Sequence, residues 1–329
     1  MVITKPEYFD RFQCLASRCP DSCCQQWQVS VDPESAESYL ALPGPLGQRL
    51  RQVLRQTEEG WVMDLEEGRC PMWRQDGLCR IQAELGHQGL SQVCRQFPRL
   101  THDYGDFVEL GLELSCPEAA KYILQPAPAA FVTERRPGGQ GDYDREAMAL
   151  LLESRANALA LLSPEAGPVG QQLGLLLLYG CQVQCALDEG ELPPWDPEAA
   201  KETLADMAKT GDMGQILSFF ADLDILTPQW AQMLQSPAPT SWVPGHLSLA
   251  RYLVQRYWLQ AVSDYDLYSR VKFILVSCLL VRHLGGDLIE TAQRYSKEIE
   301  NSWDNLDAIL DAAYRHPAFT DDKLLGLMK

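Results

Sequence analysis

Eight cysteines fall between Cys14 and Cys116 of this 329-residue chain, which holds eleven in all. The first four read Cys14-x4-Cys19-x3-Cys23-Cys24. Cys70 and Cys79 follow in RCPMWRQDGLC, Cys94 in VCRQFPRL and Cys116 in ELSCPEAA. Thiolates are soft donors that select zinc, copper(I) or iron–sulfur clusters. The opening MVITKPEYFDRFQCLASR lacks the apolar core of a signal peptide. A cytoplasmic, reducing location is therefore expected, where disulfides do not persist. In that setting clustered cysteines read as metal ligands, and an iron–sulfur centre is the leading expectation.

The spacing alone leaves the type of centre open. It is not the paired CxxC of a zinc ribbon or the regular ferredoxin run. It also departs from the CxxxCxxC of radical enzymes that use S-adenosylmethionine (SAM): Cys19 and Cys23 begin such a triplet, but Gln26 stands in the third place. Eight thiolates suffice for two four-cysteine sites, or for one cluster with several left over. Cys23 and Cys24 are adjacent, and in an extended segment neighbouring side chains face opposite ways. They would then serve different centres, or one would be a bystander.

Other residue types carry weaker signals. Arg95 and Arg99 flank Phe97-Pro98 beside Cys94; they could grip a carboxylate, or simply balance charge. Asp106 and Glu109 could receive a cationic side chain, although a solvated turn and strand face is the plainer reading. Trp27 could wall a pocket or fill the core. His87, His102, His246, His283 and His316 show no metal spacing. Cys181 and Cys185, four apart beside Leu175–Leu178, read as buried packing residues, and Cys278 falls on an apolar helix face. The glycines of Gly138-Gly139-Gln140-Gly141 follow no strand and lack the order of a nucleotide-binding loop.

The elements that must position these groups divide at a Pro- and Gly-rich stretch. The fold class expected is mainly α: a small cysteine-rich module over 1–124 with a short β-hairpin, a linker over 125–141, and an α-helical domain over 142–329. Asp32 followed by Pro33 and Glu34 starts a helix; Leu46–Gln56 reads as a second, and Trp61–Leu65 as a strand. Asp76-Gly77 marks a turn between Cys70 and Cys79. Leu100–Tyr104 and Phe107–Leu114 flank Gly105-Asp106 as a hairpin, and Pro117 opens a helix to about Leu124. Beyond the linker, helices are predicted over Tyr143–Leu162, Val169–Leu187, Pro197–Phe220, Pro228–Leu234, His246–Val262, Leu267–Leu284 and Gly286–Ala313. Asp264 and Asp266 sit where they favour the start at Leu267.

Composition narrows the partners. Apolar residues make up 46% and the net charge is −17. Both halves are acidic, which disfavours nucleic acid as a partner and would steer a lysine-bearing protein toward the surface. The longest apolar runs, around Leu173–Gly180 and Phe273–Val281, fall short of the roughly 20 residues of a membrane span.

Four segments, taken in order, carry a resemblance. FQCLASRCPDSCCQQWQVSVD, RCPMWRQDGLCRIQAELG, LSQVCRQFPRL and YGDFVELGLELSCPEAAKYIL closely resemble the flagellin lysine-N-methylase family, over roughly Val2–Leu124. ARYLVQRYW and the apolar helix after it continue the likeness more weakly. The resemblance implies an enzyme that methylates lysine side chains of flagellin, using SAM and a [4Fe–4S] cluster. It offers Cys14, Cys19, Cys23, Cys24, Cys70, Cys79, Cys94 and Cys116 as metal ligands; if SAM binds, Arg95 and Arg99, by their chemistry and their place beside Cys94, are the candidates for its carboxylate. Lysine methylation is a polar displacement that needs a neutral amine, whose ordinary pKa is about 10.4. It needs no radical, so a cluster would anchor SAM or hold the fold. No glycine loop after a strand is present, which speaks against a Rossmann-type methyltransferase domain. The competing expectations are a non-catalytic cysteine-cluster interaction protein and a redox iron–sulfur protein.

Overall fold

The computed structural model describes residues 1–25, 29–58 and 60–329; Trp27 and Gln26 lie outside the described residues. The chain begins with a strand, β1 (Val2–Pro6), built on the β-branched Val2-Ile3-Thr4. Then come β2 (Val29–Val31), α1 (Pro33–Ala41), α2 (Gly44–Val53), β3 (Leu54–Thr57), β4 (Gly60–Met63), α3 (Arg80–Leu85) and α4 (Gln92–Gln96). The hairpin β5 (Arg99–Asp103) and β6 (Phe107–Leu112), helix α5 (Pro117–Ile123) and β7 (Phe131–Arg135) complete the first part. The rest is helical: α6 (Arg145–Leu161), α7 (Val169–Glu189), α8 (Pro197–Met207), α9 (Met213–Ala221), α10 (Pro228–Gln235), α11 (Pro244–Tyr257), α12 (Leu267–Leu284), α13 (Leu288–Tyr295), α14 (Trp303–Arg315) and α15 (Asp321–Leu327). The fold is thus mainly α, with a small cysteine-rich N-terminal part that contains the expected hairpin.

Two sheets are present. One runs β5-β6-β1-β7, with β1 parallel to β6 and antiparallel to β7. The other is β2-β4-β3. A small core of Val29, Val31, Tyr39, Leu50, Met63 and Met72 lies between the second sheet and α1, α2 and α3. The main core joins Phe12, Leu112, Leu114 and Ala119 to the C-terminal helices. At its centre is α12, apolar nearly all round as expected of a helix surrounded by others. Its neighbour α7 approaches closely at Gly180, where a Cβ would lie 2.6 Å from a Val271 methyl. Among the described residues no helix is long and apolar enough to cross a membrane.

Local rules account for most element starts. Asp32 accepts a hydrogen bond from Ser35 N at 3.0 Å and caps α1. Asp144, Asp196, Asp212, Thr227, Asp266, Asp287 and Ser302 cap later helices in the same way. Asp264 pairs with Arg270 at 2.8 Å one turn into α12.

Several expectations give way to tertiary contacts. The helix read over Leu46–Gln56 ends at Val53, and the chain turns into β3, where Arg55 clamps Asp64 with two bonds of 2.8 Å. Pro197–Phe220 divides where Asp212 caps a new helix. Gly286–Ala313 divides at a π-helical turn over Ser296–Glu300. The segment 125–141, read as a linker, contains β7, which pairs along all of β1. Glycines let backbones meet here: a Cβ on Gly139, whose φ is +94°, would sit 2.4 Å from Gly105 O. The main core also spans this stretch, so the two parts share one interior.

One buried ion pair ties the first cysteine loop to the helices. Lys297 Nζ, in the π-helical turn, lies 2.8 Å from Asp21 Oδ1, and the Lys297 side chain is only 2% exposed. Gln293 Nε2 donates to Asp21 Oδ2 at 2.9 Å and to Ser115 O at 2.8 Å. Burial would raise the Asp21 pKa, but Lys297, Gln25 and Gln293 outweigh it and hold the carboxyl below its ordinary value. Lys297→Met should therefore destabilise the protein by about 3–5 kcal/mol, the typical consequence of leaving one buried partner unpaired. The double variant with Asp21→Asn should recover part of that loss. Because the folded pKa is depressed, the contribution is full above the unfolded value of about 3.9 and is lost as pH falls through the folded one. Denaturant unfolding of the variants at pH 7 and pH 3 checks both statements; equal stability of Lys297→Met and the parent protein at pH 7 would refute them.

Candidate metal centre and adjoining cavity

The small sheet gathers four of the cysteines. Cys70 N donates to Cys24 O at 2.7 Å, which fastens the first cysteine loop to the second. The segment from Cys70 to Cys79 folds back through the Asp76-Gly77 turn. Arg74 N donates to Leu78 O at 2.9 Å, and Gly77 has φ +78°. Asp32, besides capping α1, accepts from Gln92 N at 2.7 Å and so sets the start of α4, which carries Cys94. Cys24, Cys79 and Cys94 thereby pack with Cys70 against the small core.

A second neighbourhood forms around Cys116, the residue before α5. Gln293 holds Asp21 on one side and the carbonyl before Cys116 on the other. Cys14, Cys19 and Cys116 are near enough for their charges to interact. Cys23 stands between the groups and senses Cys24, Cys94 and Cys14. The adjacent pair lies in a turn rather than in an extended segment, and the two thiols share a hydrogen bond. That bond favours the Cys24 thiolate and disfavours the Cys23 one.

Burial dominates the other thiols. It pushes Cys70 up to about 12 and Cys94 and Cys116 up to about 11, and it raises Cys19 and Cys79 as well. All eleven cysteines are free thiols. Among the described residues no group of three or more His, Cys, Asp or Glu side chains converges closely enough to hold a metal ion. The thiols form two neighbourhoods rather than closed coordination shells, and the donor chemistry, soft sulfur in apolar surroundings, is what suits a thiophilic metal.

Beside the Cys116 neighbourhood lies a mostly apolar cavity of about 200 Å³. One wall is the strand pair: Leu100 and His102 on β5, Glu109 and Leu112 on β6. His102 sits directly across from Glu109 in the ladder. The facing wall is α11, whose Ser248, Arg251, Tyr252, Gln255 and Arg256 recur at helical spacing. Tyr122 on α5, stacked on Tyr8 with centroids 6.0 Å apart, closes one side. Tyr122 follows Cys116 by six residues on the same helix, roughly 9 Å along its axis.

Two charged side chains that line the cavity, Glu109 and Arg256, are ion-paired. Arg155 grips both Glu109 oxygens, one at 2.7 Å, and both side chains are about nine-tenths buried. Arg256 meets Glu300 at 3.2 Å and donates to Tyr252 Oη at 2.6 Å. Tyr257 donates to the same Glu300 at 2.9 Å. Burial, reinforced by Arg256, holds the His102 imidazole below its usual pKa. Its Nε2 is buried without a hydrogen-bond partner.

The remaining candidates fall elsewhere. Arg95 donates to Gln88 O at 3.4 Å, and exposed Arg99 lies over the Phe12 and Phe9 rings at 5.4 and 5.9 Å. Asp106 accepts from Tyr143 at 2.7 Å at the far end of the hairpin. Glu109, read as a solvated strand residue, is buried by its pairing with Arg155. Cys185, read as buried, is exposed; Cys181 is half-buried near Asp321, and Cys278 is fully buried in α12. Lys297, Gln293, Arg155, Arg256 and Glu300 escaped sequence reading because their partners lie tens to hundreds of residues away. ARYLVQRYW carries four of the α11 residues that line the cavity, Arg251, Tyr252, Gln255 and Arg256.

Over 143 residues, 41% of this chain, it is 32% identical to the flagellar biosynthetic protein FliU of Salmonella muenchen, and the match covers 85% of that protein. The chain belongs to the FliU and lysine-N-methylase family. Over 142 residues it is also 32% identical to the lysine-N-methylases of Salmonella typhimurium and Salmonella choleraesuis, spanning 35% of the length of each. The chain thus spans about a third of the curated lysine-N-methylases it matches. No family model and no solved structure matches it.

Single Cys→Ser changes should separate the thiols by neighbourhood. Changes at Cys24, Cys70, Cys79 or Cys94 should lower the metal content of anaerobically purified protein and destabilise the small core, because ligation and folding are coupled. Changes at Cys181, Cys185 and Cys278 should keep full metal content. Metal analysis with thermal unfolding reads both effects; metal loss in Cys185→Ser equal to that in Cys70→Ser would dismiss the assignment.

Proposed function

We propose that this protein is a SAM-dependent protein-lysine N-methyltransferase that acts on flagellin and carries a thiolate-held [4Fe–4S] cluster. The observation that carries the reading is the 32% identity that reaches across 85% of FliU and into the lysine-N-methylases. The acidic chain, at −17, suits approach to a lysine-bearing protein. The paired charges and apolar walls of the cavity suit an amine that must lose its proton before it reacts.

In this reading Cys24, Cys70, Cys79 and Cys94 are the first choice to hold iron, and Cys14, Cys19, Cys23 and Cys116 the second set. With only three of those thiolates as ligands, a cluster would leave one iron open to the amino-acid end of SAM, and Arg95 and Arg99 are the candidates for its carboxylate. The chemical step is a displacement: the neutral lysine nitrogen attacks the sulfonium methyl, the carbon–sulfur bond breaks, and the sulfur leaves as a neutral thioether. The methylated ammonium then gives up a proton. The chain's own residues bind the two partners, exclude water and accept that proton.

Incubation of anaerobically prepared, metal-replete protein with SAM and flagellin from the same cell should add methyl groups to lysine Nε, seen by mass spectrometry as steps of about 14 Da. The rate should fall with added salt if the acidic surface steers the substrate, as the Debye length contracts from about 10 Å at 0.1 M to about 3 Å at 1 M. Bound iron and sulfide with no SAM binding and no mass change would favour a redox or purely structural cluster protein instead.

A further inference from the structure

Methyl transfer to lysine leaves unanswered where the amine sits. The cavity between the strand pair and α11 has three properties that bear on it. Its size of about 200 Å³ lies below the roughly 300–1,000 Å³ that hold nucleoside-sized ligands, so it suits one long side chain rather than the methyl donor. Its walls are mostly apolar and aromatic, which suits a four-carbon stem. Its lining carboxylate, Glu109, is already spent on Arg155, and its lining Arg256 is paired with Glu300. Arg251, which donates to Leu162 O at 2.7 Å and Pro126 O at 2.9 Å, adds a positive charge at the same wall.

Resting on the methylase reading, we propose that this cavity receives the side chain of the acceptor lysine as a neutral amine, with His102 Nε2 as its hydrogen-bond partner and the acceptor of the proton released on methylation. An apolar space with no unpaired carboxylate destabilises an ammonium and leaves the amine free to attack. His102 lines the cavity, and its Nε2 is buried without a partner; rotation of the ring toward the cavity would give that nitrogen the incoming amine as its partner. Such an orphaned polar atom calls for an explanation, since nearly all buried polar groups are bonded. Glu109 across the ladder, Arg155 from α6 and Arg256 from α11 face the imidazole, and burial with the arginine charge lowers its pKa below the ordinary value. In the step, the nitrogen–methyl bond forms as the carbon–sulfur bond breaks, and the proton passes from the new ammonium to Nε2 and then to solvent.

Two measurements on the full, metal-loaded chain test this. The first uses n-butylamine as a side-chain probe and follows binding calorimetrically. Affinity should rise about 10-fold per pH unit between pH 7 and 9, tracking the neutral fraction of an amine with a pKa above 10. Gly111→Leu, which fills the cavity from β6 where a Cβ meets only Leu100 at 3.9 Å, should weaken binding more than 10-fold with metal content unchanged. No binding at any pH, or binding indifferent to Gly111→Leu, would overturn the assignment and leave the space to water. The second compares methyl transfer: His102→Gln should lower kcat about 100-fold, the low end of general-base effects, while SAM affinity and metal content hold. Transfer by the parent protein that is unaffected in both variants would refute the cavity assignment alone. Absence of transfer by the parent protein would refute the methylase reading, and the amine titration would still decide the cavity.

Discussion

The contact on which both sites depend is the buried pair of Lys297 and Asp21. Removing two charges from water is expensive, and mutual attraction offsets it only when further hydrogen bonds complete the geometry. Here Gln25 and Gln293 supply those bonds, at 2.7 and 2.9 Å. The result is a rigid tie between a cysteine loop with little regular structure of its own and a helical body with a large core. The loop cannot shift without breaking the Asp21–Lys297 pair, and Gln293 binds the carbonyl before Cys116 at the same time. One short stretch, Gln293 to Glu300, thus sets the relation of Cys19–Cys24 to Cys116. Its last residue holds Arg256 and Tyr257, and through them the wall of the cavity.

That arrangement explains why thiols and cavity are neighbours. Helix α5 starts at the Cys116 thiol and reaches the cavity at Tyr122, while α11 reads the other wall. The segments that carry the family resemblance supply the start of β5, all of β6 and α5, and most of the cavity residues of α11. Positions a hundred or more residues apart therefore converge on one surface. Charge is handled alike in both places. Buried carboxylates are paired, and burial keeps most of the thiols, and the imidazole of His102, in their uncharged forms.

Local signals determined much of this protein from sequence. The aspartate caps, the Asp76-Gly77 turn, the hairpin around Gly105 and the apolar helix at Leu267–Leu284 follow from interactions within a few residues, and each lies close to where the pattern puts it. The cysteine spacing likewise marked the loops that meet. The order and chemistry of the family's segments were legible for the same reason: they are properties of short stretches.

What tertiary structure decided involves partners far apart in the chain. Strand β7 looked like a linker because its pattern is only five residues long, and its stability comes from pairing with β1 some 130 residues earlier. Glu109 looked solvated because nothing near it in sequence announces Arg155. The sorting of the thiols into two neighbourhoods, with Cys23 between them, needed Asp32 to reach Gln92 and Lys297 to reach Asp21, across 60 and 276 residues. Residue type and spacing set which chemistry the chain carries; which groups share a site depended on burial and ion pairing between distant segments, and those act only once the chain has folded.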